Sequence, residues 1–386
     1  MVYPNQLITI GIKSFLVLSI LSFTSLFPAP DTCCAVPKDE IKSFWRKKSF
    51  SAVPEFQGVP KGDDEGIVLR ATKIHVPGSP HAYNPSIIRS GKGYLLAFRH
   101  EYWSKGDKKI SDKKKSIIGL ARLDKKCKVI GKPQYLKTHN HHSEDPRLFH
   151  FHGKPHVLFV QYMRNSIGVN RMRLGCIDES SLKIGNITAI PYGKTKVEKN
   201  WTPFVYTKKG GGQELYFLYR YASHEVLRFS PSSTDRVEHP FSPLKAPDVQ
   251  FWEKKWGTIR GGTPAVLVDG EYLAFFHSSF TSEEHKWYAM GAATFESCPP
   301  FRMKKISQVP ILFEKMYSSP VARVAVFYPR TNVHVIFPGG FVKGVKDGRE
   351  VFHLVYGDND SAIGVVTIDK TKLMNSLQPV EQSTGS

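Results

Sequence analysis

The chain has 386 residues and carries 54 Lys and Arg against 34 Asp and Glu, a formal net charge of +20. Such an excess suits an anionic partner: phosphate, a nucleotide sugar, an acidic glycan or membrane, or nucleic acid. Nucleic acid drops out, because no common nucleic-acid-binding signature is present and much of the charge lies in solvated loops at Lys105–Lys115 and Lys125–Lys128.

Near the N-terminus, Lys13 precedes the apolar run SFLVLSILSFTSLF, which ends at Pro28. Read back to Leu7 the run lengthens to about twenty residues, but Lys13 interrupts it. That fits the core of a signal peptide better than an uninterrupted span, with an uncleaved signal anchor as the alternative. Residues 1–28 are therefore expected to be a signal peptide or membrane anchor that sends the rest into a secretory or extracytoplasmic compartment. Residues 29–66, rich in Pro, Lys and Ser, read as a stem. The five cysteines, Cys33, Cys34, Cys127, Cys176 and Cys298, cannot all pair internally and show no metal spacing. Of the sequons at Asn186, Asn200 and Asn359, only the first sits in an obvious loop.

From residue 67 to 375 the chain reads as one all-β domain built of repeated hairpins. Their openings are NPSIIRSGKGYLLAFR from Asn84, DPRLFHFHGKPHVLFV from Asp145, TPFVYTKKGGGQELYFLYR from Thr202 and TPAVLVDGEYLAFFH from Thr263. Pro85, Pro146, Pro203 and Pro264 lie 61, 57 and 61 residues apart, and a fifth unit without the leading Pro begins at Asn332. Alternating runs at Ser116–Asp124, Arg171–Asp178, Val226–Pro231 and Tyr288–Glu296 supply outer strands. Long-period all-β repeats of this kind predict a five-bladed β-propeller, with a sandwich as the competing fold. Residues 376–386 read as a polar tail.

In a propeller the innermost strands line a central funnel, so residues at the hairpin mouths converge from distant parts of the chain. The candidates are Asn84, Arg99 and Glu101; Glu144, Asp145 and Arg147; Lys199, Asn200 and Arg220; Arg260, Thr263 and His277; and Tyr356, Asp358 and Asp360. Carboxylates take sugar hydroxyls while Arg and Lys clamp phosphate, so the set suits a polyhydroxylated, partly anionic ligand. Simpler roles exist for each. Asp145 could cap the turn before Pro146, Arg147 could be its surface ion partner, and Arg99 with Glu101 could form a cross-strand pair. Gly261-Gly262 and Gly339-Gly340 read as turn or bulge glycines. His150 and His152 lack a third ligand, so no metal is expected. There is no GxSxG elbow, P-loop or dinucleotide glycine run, which removes the main support for serine hydrolase, kinase and dehydrogenase chemistry.

The order Asn-Pro, Arg-x-Glu, SEDPRLF, Lys-Asn-Trp, Gly-Gly-Thr-Pro, Phe-His, PIL, NVHVIFPGGFV and YGDNDSAIG resembles glycoside hydrolase family 130, from about Asn84 to Asp369. The resemblance implies a five-bladed propeller and an inverting phosphorylase or glycosyltransferase acting on β-mannosides, with a β-mannoside hydrolase or a non-catalytic glycan-binding propeller as alternatives. It makes Asp145 the general acid, acting through a mannose hydroxyl while phosphate attacks the anomeric carbon. It puts Asn84, Arg99, Glu101, Glu144, Arg147, Tyr356, Asp358 and Asp360 at the sugar, and Lys199, Asn200, Arg220 and His277 at the phosphate. No cofactor is implied: phosphate, a sugar phosphate or a nucleotide sugar enters as substrate beside an oligosaccharide. Asp358-Asn359 stands where the family usually has Ala-Ala, and Arg260 and Trp201 also depart from the usual phosphorylases.

Overall fold

The computed structural model describes residues 66–103, 114–138, 142–162, 169–193, 197–231, 236–243, 247–282, 285–320 and 333–381. The expected leader, nearly all of the stem, and Cys33 and Cys34 lie outside the described residues. Among the described residues no helix is long and apolar enough to cross a membrane.

The first strand, β1 (Val68–Ile74), finds its partner only at the far end of the chain. Four antiparallel strands follow, β2 (Ala82–Ser90), β3 (Gly93–Trp103), β4 (Lys114–Leu123) and β5 (Val129–Tyr135), in one sheet of that order. The second sheet repeats this with β6 (Ser143–Phe151), β7 (Lys154–Tyr162), β8 (Asn170–Asp178) and β9 (Lys183–Ala189). The third does so with β10 (Thr202–Thr207), β11 (Gln213–Arg220), β12 (Glu225–Ser230) and β13 (Arg236–Glu238). A fourth, seven-stranded sheet is built on β14 (Arg260–Gly261), β15 (Val266–Val268), β16 (Glu271–Ser282), β17 (His285–Glu296), β18 (Met303–Ile306) and β19 (Val333–His334). The last sheet takes β20 (Ile336–Lys346), β21 (Arg349–Asp358) and β22 (Ala362–Asp369), and β1 completes it by pairing with β22. Finally β23 (Gln378–Pro379) adds to β18, with Leu377 and Val380 buried, so ordered structure extends into the segment read as a polar tail.

This is an all-β, propeller-like arrangement, and the period of two explains why. Consecutive residues of a strand face opposite sides of the sheet. In β3, Leu95 and Ala97 enter the apolar layer shared with the second sheet, while Leu96 and Phe98 enter the layer shared with the last. Likewise Val157 and Phe159 face the first sheet and Leu158 and Val160 the third; Leu215 and Phe217 face the second and Tyr216 and Leu218 the fourth. Such strands are buried on both faces, each large side chain contributing roughly 1.5–3 kcal/mol.

A recurring device seats the largest rings. Phe98, Phe276 and Tyr356 each lie opposite a glycine of the next strand, Gly119, Gly291 and Gly364, where an added Cβ would run into the ring. Gly119→Ala is therefore expected to destabilise by about 1–3 kcal/mol in urea unfolding; an unchanged midpoint would mean the ring is free to move.

The chain also forms a helix that the all-β reading did not contain, α1 (Pro247–Trp256), between β13 and β14. Val249, Trp252 and Trp256 recur at helical spacing and are buried, Asp248 and Lys254–Lys255 match the dipole at its two ends, and Gly257 leaves at φ 80. The second helix, α2 (Lys370–Ser376), is capped by Asp369, which accepts from the Lys372 amide at 3.0 Å.

Candidate active site

The Asn84-Pro85 and Asp145-Pro146 steps fall at the same place in two successive sheets, and each is a break in the ladder. Pairing slips between Tyr83 and Ser86 in β2 and between Glu144 and Arg147 in β6. Asn84 (φ 44) and Asp145 (φ 52) occupy the left-handed region there, which Asn and Asp tolerate better than most residues. The bulge turns both side chains inward, and Asn84 Nδ2 donates to Asp145 Oδ1 at 2.9 Å in a buried position. Asp145 is thus no local turn cap; its carboxylate is held by the neighbouring sheet. Where β20 crosses this point, a Cβ on Gly339 would strike the Pro85 carbonyl, so glycine is required for the strands to meet.

Around Asp145 lies a cluster organised by one guanidinium. Arg99 Nη2 donates to Glu101 at 2.6 Å and Glu144 at 2.8 Å, its Nε donates to Ser116 Oγ at 3.0 Å, and its Nη1 stands 3.7 Å from Asp145. Burial works against the Arg99 charge, but Glu144, Tyr83, Glu101 and Asp145 outweigh it and hold the pKa well above the usual value. The Tyr83 ring packs against the guanidinium, its centroid 5.0 Å away. Burial, with Glu101 and Asp360, pushes its phenol upward against the pull of Arg99. Asn84, Arg99, Glu101, Glu144 and Asp145 therefore lie together, with Asp360 near enough to act on Tyr83, and Tyr83 and Ser116 join them without having been foreseen. The register held a clue, since Ser116 stands directly opposite Glu101.

The second group is cationic. Arg147 is 2% exposed, not a surface partner of Asp145, and lies 4.6 Å above the Phe337 ring. Its Nη1 reaches the Pro146 carbonyl at 3.3 Å, whereas Nε and Nη2 are buried without a hydrogen-bond partner. Burial lowers its pKa to about 10, with Asp145 and Tyr221 pulling the other way. The His277 ring also lies 4.6 Å from the Phe337 ring, and it is 2% exposed with Nδ1 unpartnered. Burial, then the charges of Arg147, Arg260 and Lys199, hold His277 well below its ordinary pKa, so it is neutral. Asn200 (φ 62) adds a buried, unpartnered Oδ1. Arg220 turns instead to Glu225, at 3.6 Å, and the Tyr219 ring. Trp201 belongs to the apolar layer between the second and third sheets. Thr263 Oγ1 accepts from the Phe275 amide at 3.0 Å, a structural tie.

Linkage gives a pH prediction. An unfolded His binds a proton near pH 6.5 while folded His277 does not, so its contribution to stability is intact above about pH 6.5 and is lost as pH falls below it, at up to about 1.4 kcal/mol per pH unit. His277→Gln should unfold with a shallower loss of stability between pH 7 and 5 than the native chain; parallel curves would contradict the buried neutral ring.

Two expected sugar contacts lie elsewhere. Tyr356 is 1% exposed and rests on Gly364 in the apolar layer between the fourth and last sheets, the position that Phe98 and Phe276 fill in theirs. Asp358 is fully buried, paired with Lys73 of β1 and accepting from the Ser319 amide at 2.9 Å. Asn359 is likewise consumed internally, donating to the Tyr317 and Ser319 carbonyls at 3.0 and 2.7 Å. Among the described residues no group of three or more His, Cys, Asp or Glu is placed to hold a metal, and Cys127, Cys176 and Cys298 are free thiols.

The site thus has two flanks, carboxylates around one guanidinium on one and a buried Arg147 beside a neutral His277 on the other. The family model of glycoside hydrolase family 130, described as β-1,4-mannooligosaccharide phosphorylase, matches residues 62–379, and the chain belongs to that family. Among solved structures, the β-1,2-mannobiose phosphorylase of Listeria innocua in complex with β-1,2-mannobiose is similar at 16% identity and a TM-score of 0.53, covering 79% of this chain and 92% of its own. A mannose phosphorylase from Leishmania mexicana in complex with phosphate ion aligns at 15% identity and 0.52, over 82% and 92%. A GDP-Man-dependent mannosyltransferase from the same organism aligns at 13% and 0.50, over 86% and 94%. At these identities the likeness speaks for the fold. A comparison with curated proteins gives no match.

Proposed function

We propose that this protein is an inverting enzyme that makes or breaks β-mannosides with an anionic, phosphate-bearing co-substrate, as a phosphorylase or a transferase. The observation that carries the reading is Arg147, a buried guanidinium with two nitrogens lacking partners, which shares the Phe337 ring with His277, whose Nδ1 is also unpartnered. Unsatisfied buried donors are costly, and a phosphate oxygen is the acceptor that matches a guanidinium best. Simple hydrolysis requires no such group.

Asp145 serves as the general acid. In phosphorolysis it supplies the proton that reaches the glycosidic oxygen through a hydroxyl of the bound mannose, while a phosphate oxygen attacks C1 from the opposite face. One protein acid suffices because the nucleophile is already an anion. Asn84 orients the carboxylate, and Arg99, Glu101, Glu144 and Asp360 offer sugar hydroxyls a mixed set of donors and acceptors. No cofactor enters. We read the seven-stranded sheet as the fifth blade, a reading supported by apolar layers on both its faces, against the third sheet and against the last. The apolar leader supports delivery to a secretory compartment, with secretion or membrane anchoring as the end state.

The test is product analysis. Incubated with a β-mannobiose and orthophosphate, the enzyme should release mannose 1-phosphate, and from mannose 1-phosphate and an acceptor it should build oligosaccharide. Free mannose as the sole product, at a rate indifferent to phosphate, would make it a hydrolase.

A further inference from the structure

The end of the domain away from the candidate site is basic. Asn84 and Asp145 stand near the starts of β2 and β6, and the Leu148 amide donates to Ser86 Oγ at 2.9 Å, so the two strands leave the site side by side. Their first turns, at Gly91 and Gly153, therefore lie at the far end. In each antiparallel sheet the third strand runs the same way as the first, so the turns after β4 and β8 join that face. Exposed there are Lys92, Lys125, Lys126, Lys128, Lys154 and Lys183, and among the described residues none of them pairs with a carboxylate. The carboxylates of these turns are engaged locally. Asp124 accepts from the Lys126 and Lys128 amides at 2.8 and 2.9 Å, Asp178 from the Ser181 amide at 2.7 Å, and Glu179 from the Ser90 hydroxyl.

Two further features bear on what covers this face. Between the far turns of the first two sheets, Ser90, Lys92, Arg122, Lys125, Ile130 and Glu179 line a cleft of about 610 Å³, and Ile130 is 49% exposed. The chain also enters the domain here. β20 runs beside β2, since a Cβ on Gly340 would strike the Ile87 amide nitrogen as one on Gly339 strikes the Pro85 carbonyl. β22, two strands further on, therefore ends at the far face, where the Asp369 amide donates to the Ile67 carbonyl at 2.8 Å. The segment read as a stem from an apolar leader is thus joined to the face that carries the lysines. We propose that this face lies against an anionic membrane surface, with a lipid phosphate headgroup in the cleft among Lys92, Arg122 and Lys125, so that the candidate site opens away from the bilayer. Unpaired lysines gain from a negative surface potential. An exposed aliphatic side chain gains by entering the boundary between headgroups and acyl chains, which a hydrated acidic glycan does not offer. Val345, 72% exposed and two residues before the turn at Asp347-Gly348, adds a second such side chain to this face. The face is remote from the site, so the proposal stands whatever reaction the site performs.

Sedimentation of the full chain with lipid vesicles tests it. Vesicles of two parts phosphatidylcholine to one of phosphatidylserine should bind about tenfold more tightly or better than phosphatidylcholine alone, and high salt should shrink that ratio. The ratio sets aside any apolar contribution of the leader, which is common to both lipids. Lys125→Ala with Lys126→Ala should lower the ratio about fivefold or more and leave turnover unchanged. Lys254→Ala with Lys255→Ala should leave it as it is. This control removes the same charge from the exposed end of α1, which lies at the opposite, site end, where a Cβ on Gly257 would strike the Ser279 carbonyl. Equal binding of the native chain to both vesicles, or an equal loss in the two double variants, would overturn the proposal. Retention by heparin without binding to the acidic vesicles would assign the face to an acidic glycan and overturn it too.

Discussion

Asp145→Asn is expected to lower turnover of β-mannosides by about 10²–10⁴-fold with little change in KM. The substitution isolates the proton. Asn tolerates the φ of 52 that the bulge imposes, and its Oδ1 can still accept from Asn84 Nδ2, so neither the backbone nor the hydrogen bond that orients this group is lost. What disappears is the ability to give and take a proton. Asp145→Ala would confound the test, because Ala strains the bulge and leaves Asn84 without its acceptor. Steady-state kinetics paired with glycan binding decide the matter. Were Asp145 merely structural, or the propeller merely a glycan binder, the Asn variant would match the native chain in every assay.

The second large effect is expected at Arg147, and it runs in opposite directions for stability and activity. Its guanidinium is buried with two N–H positions unpartnered, and burial has drawn its pKa to about 10. Keeping it charged costs the fold on the order of 3 kcal/mol. Arg147→Met keeps an apolar stem over Phe337 while removing the charge. The variant should unfold at the same temperature as the native chain or higher, since an apolar replacement for an incompletely satisfied buried ion is often neutral or stabilising. Its phosphate-dependent turnover should fall by about 10²–10³-fold, the loss seen when a stabiliser of transition-state charge is removed. If Arg147 instead served the fold as the ion partner of Asp145, the same change would destabilise by about 3–5 kcal/mol. Thermal unfolding and kinetics on one variant thus separate an anion-binding floor from a structural ion pair.

These residues were legible in the sequence to different degrees, for physical reasons. The hairpins of the first three sheets stood out because Pro85, Pro146 and Pro203 recur at similar intervals, and Pro85 and Pro146 mark the ladder breaks where inward-turned polar residues sit. Asn84 and Asp145 followed from that repeat. The third strands were readable too, since the run expected at Ser116–Asp124 lies largely within β4 and that at Arg171–Asp178 within β8. Tyr356 and Asp358 were read as sugar contacts because they share the YGDND motif with Asp360, whose charge acts on Tyr83 of the Arg99 cluster. Alternation along β21 cannot say which polar residue faces the funnel and which faces a neighbouring sheet. The partner that neutralises Asp358, Lys73, is 285 residues away in sequence and arrives only because β1 completes the last sheet. The burial of Arg147 was hidden for a similar reason, as it depends on Phe337 from another unit.

The most direct test of the account is a crystal structure of the protein soaked with orthophosphate and a β-mannobiose. The account predicts phosphate oxygens within hydrogen-bond reach of Arg147 Nη2 and His277, with the mannosyl ring between that phosphate and the Asp145 carboxylate. Phosphate bound elsewhere with Arg147 still unpartnered, or a sugar lying beyond reach of Asp145, would contradict it.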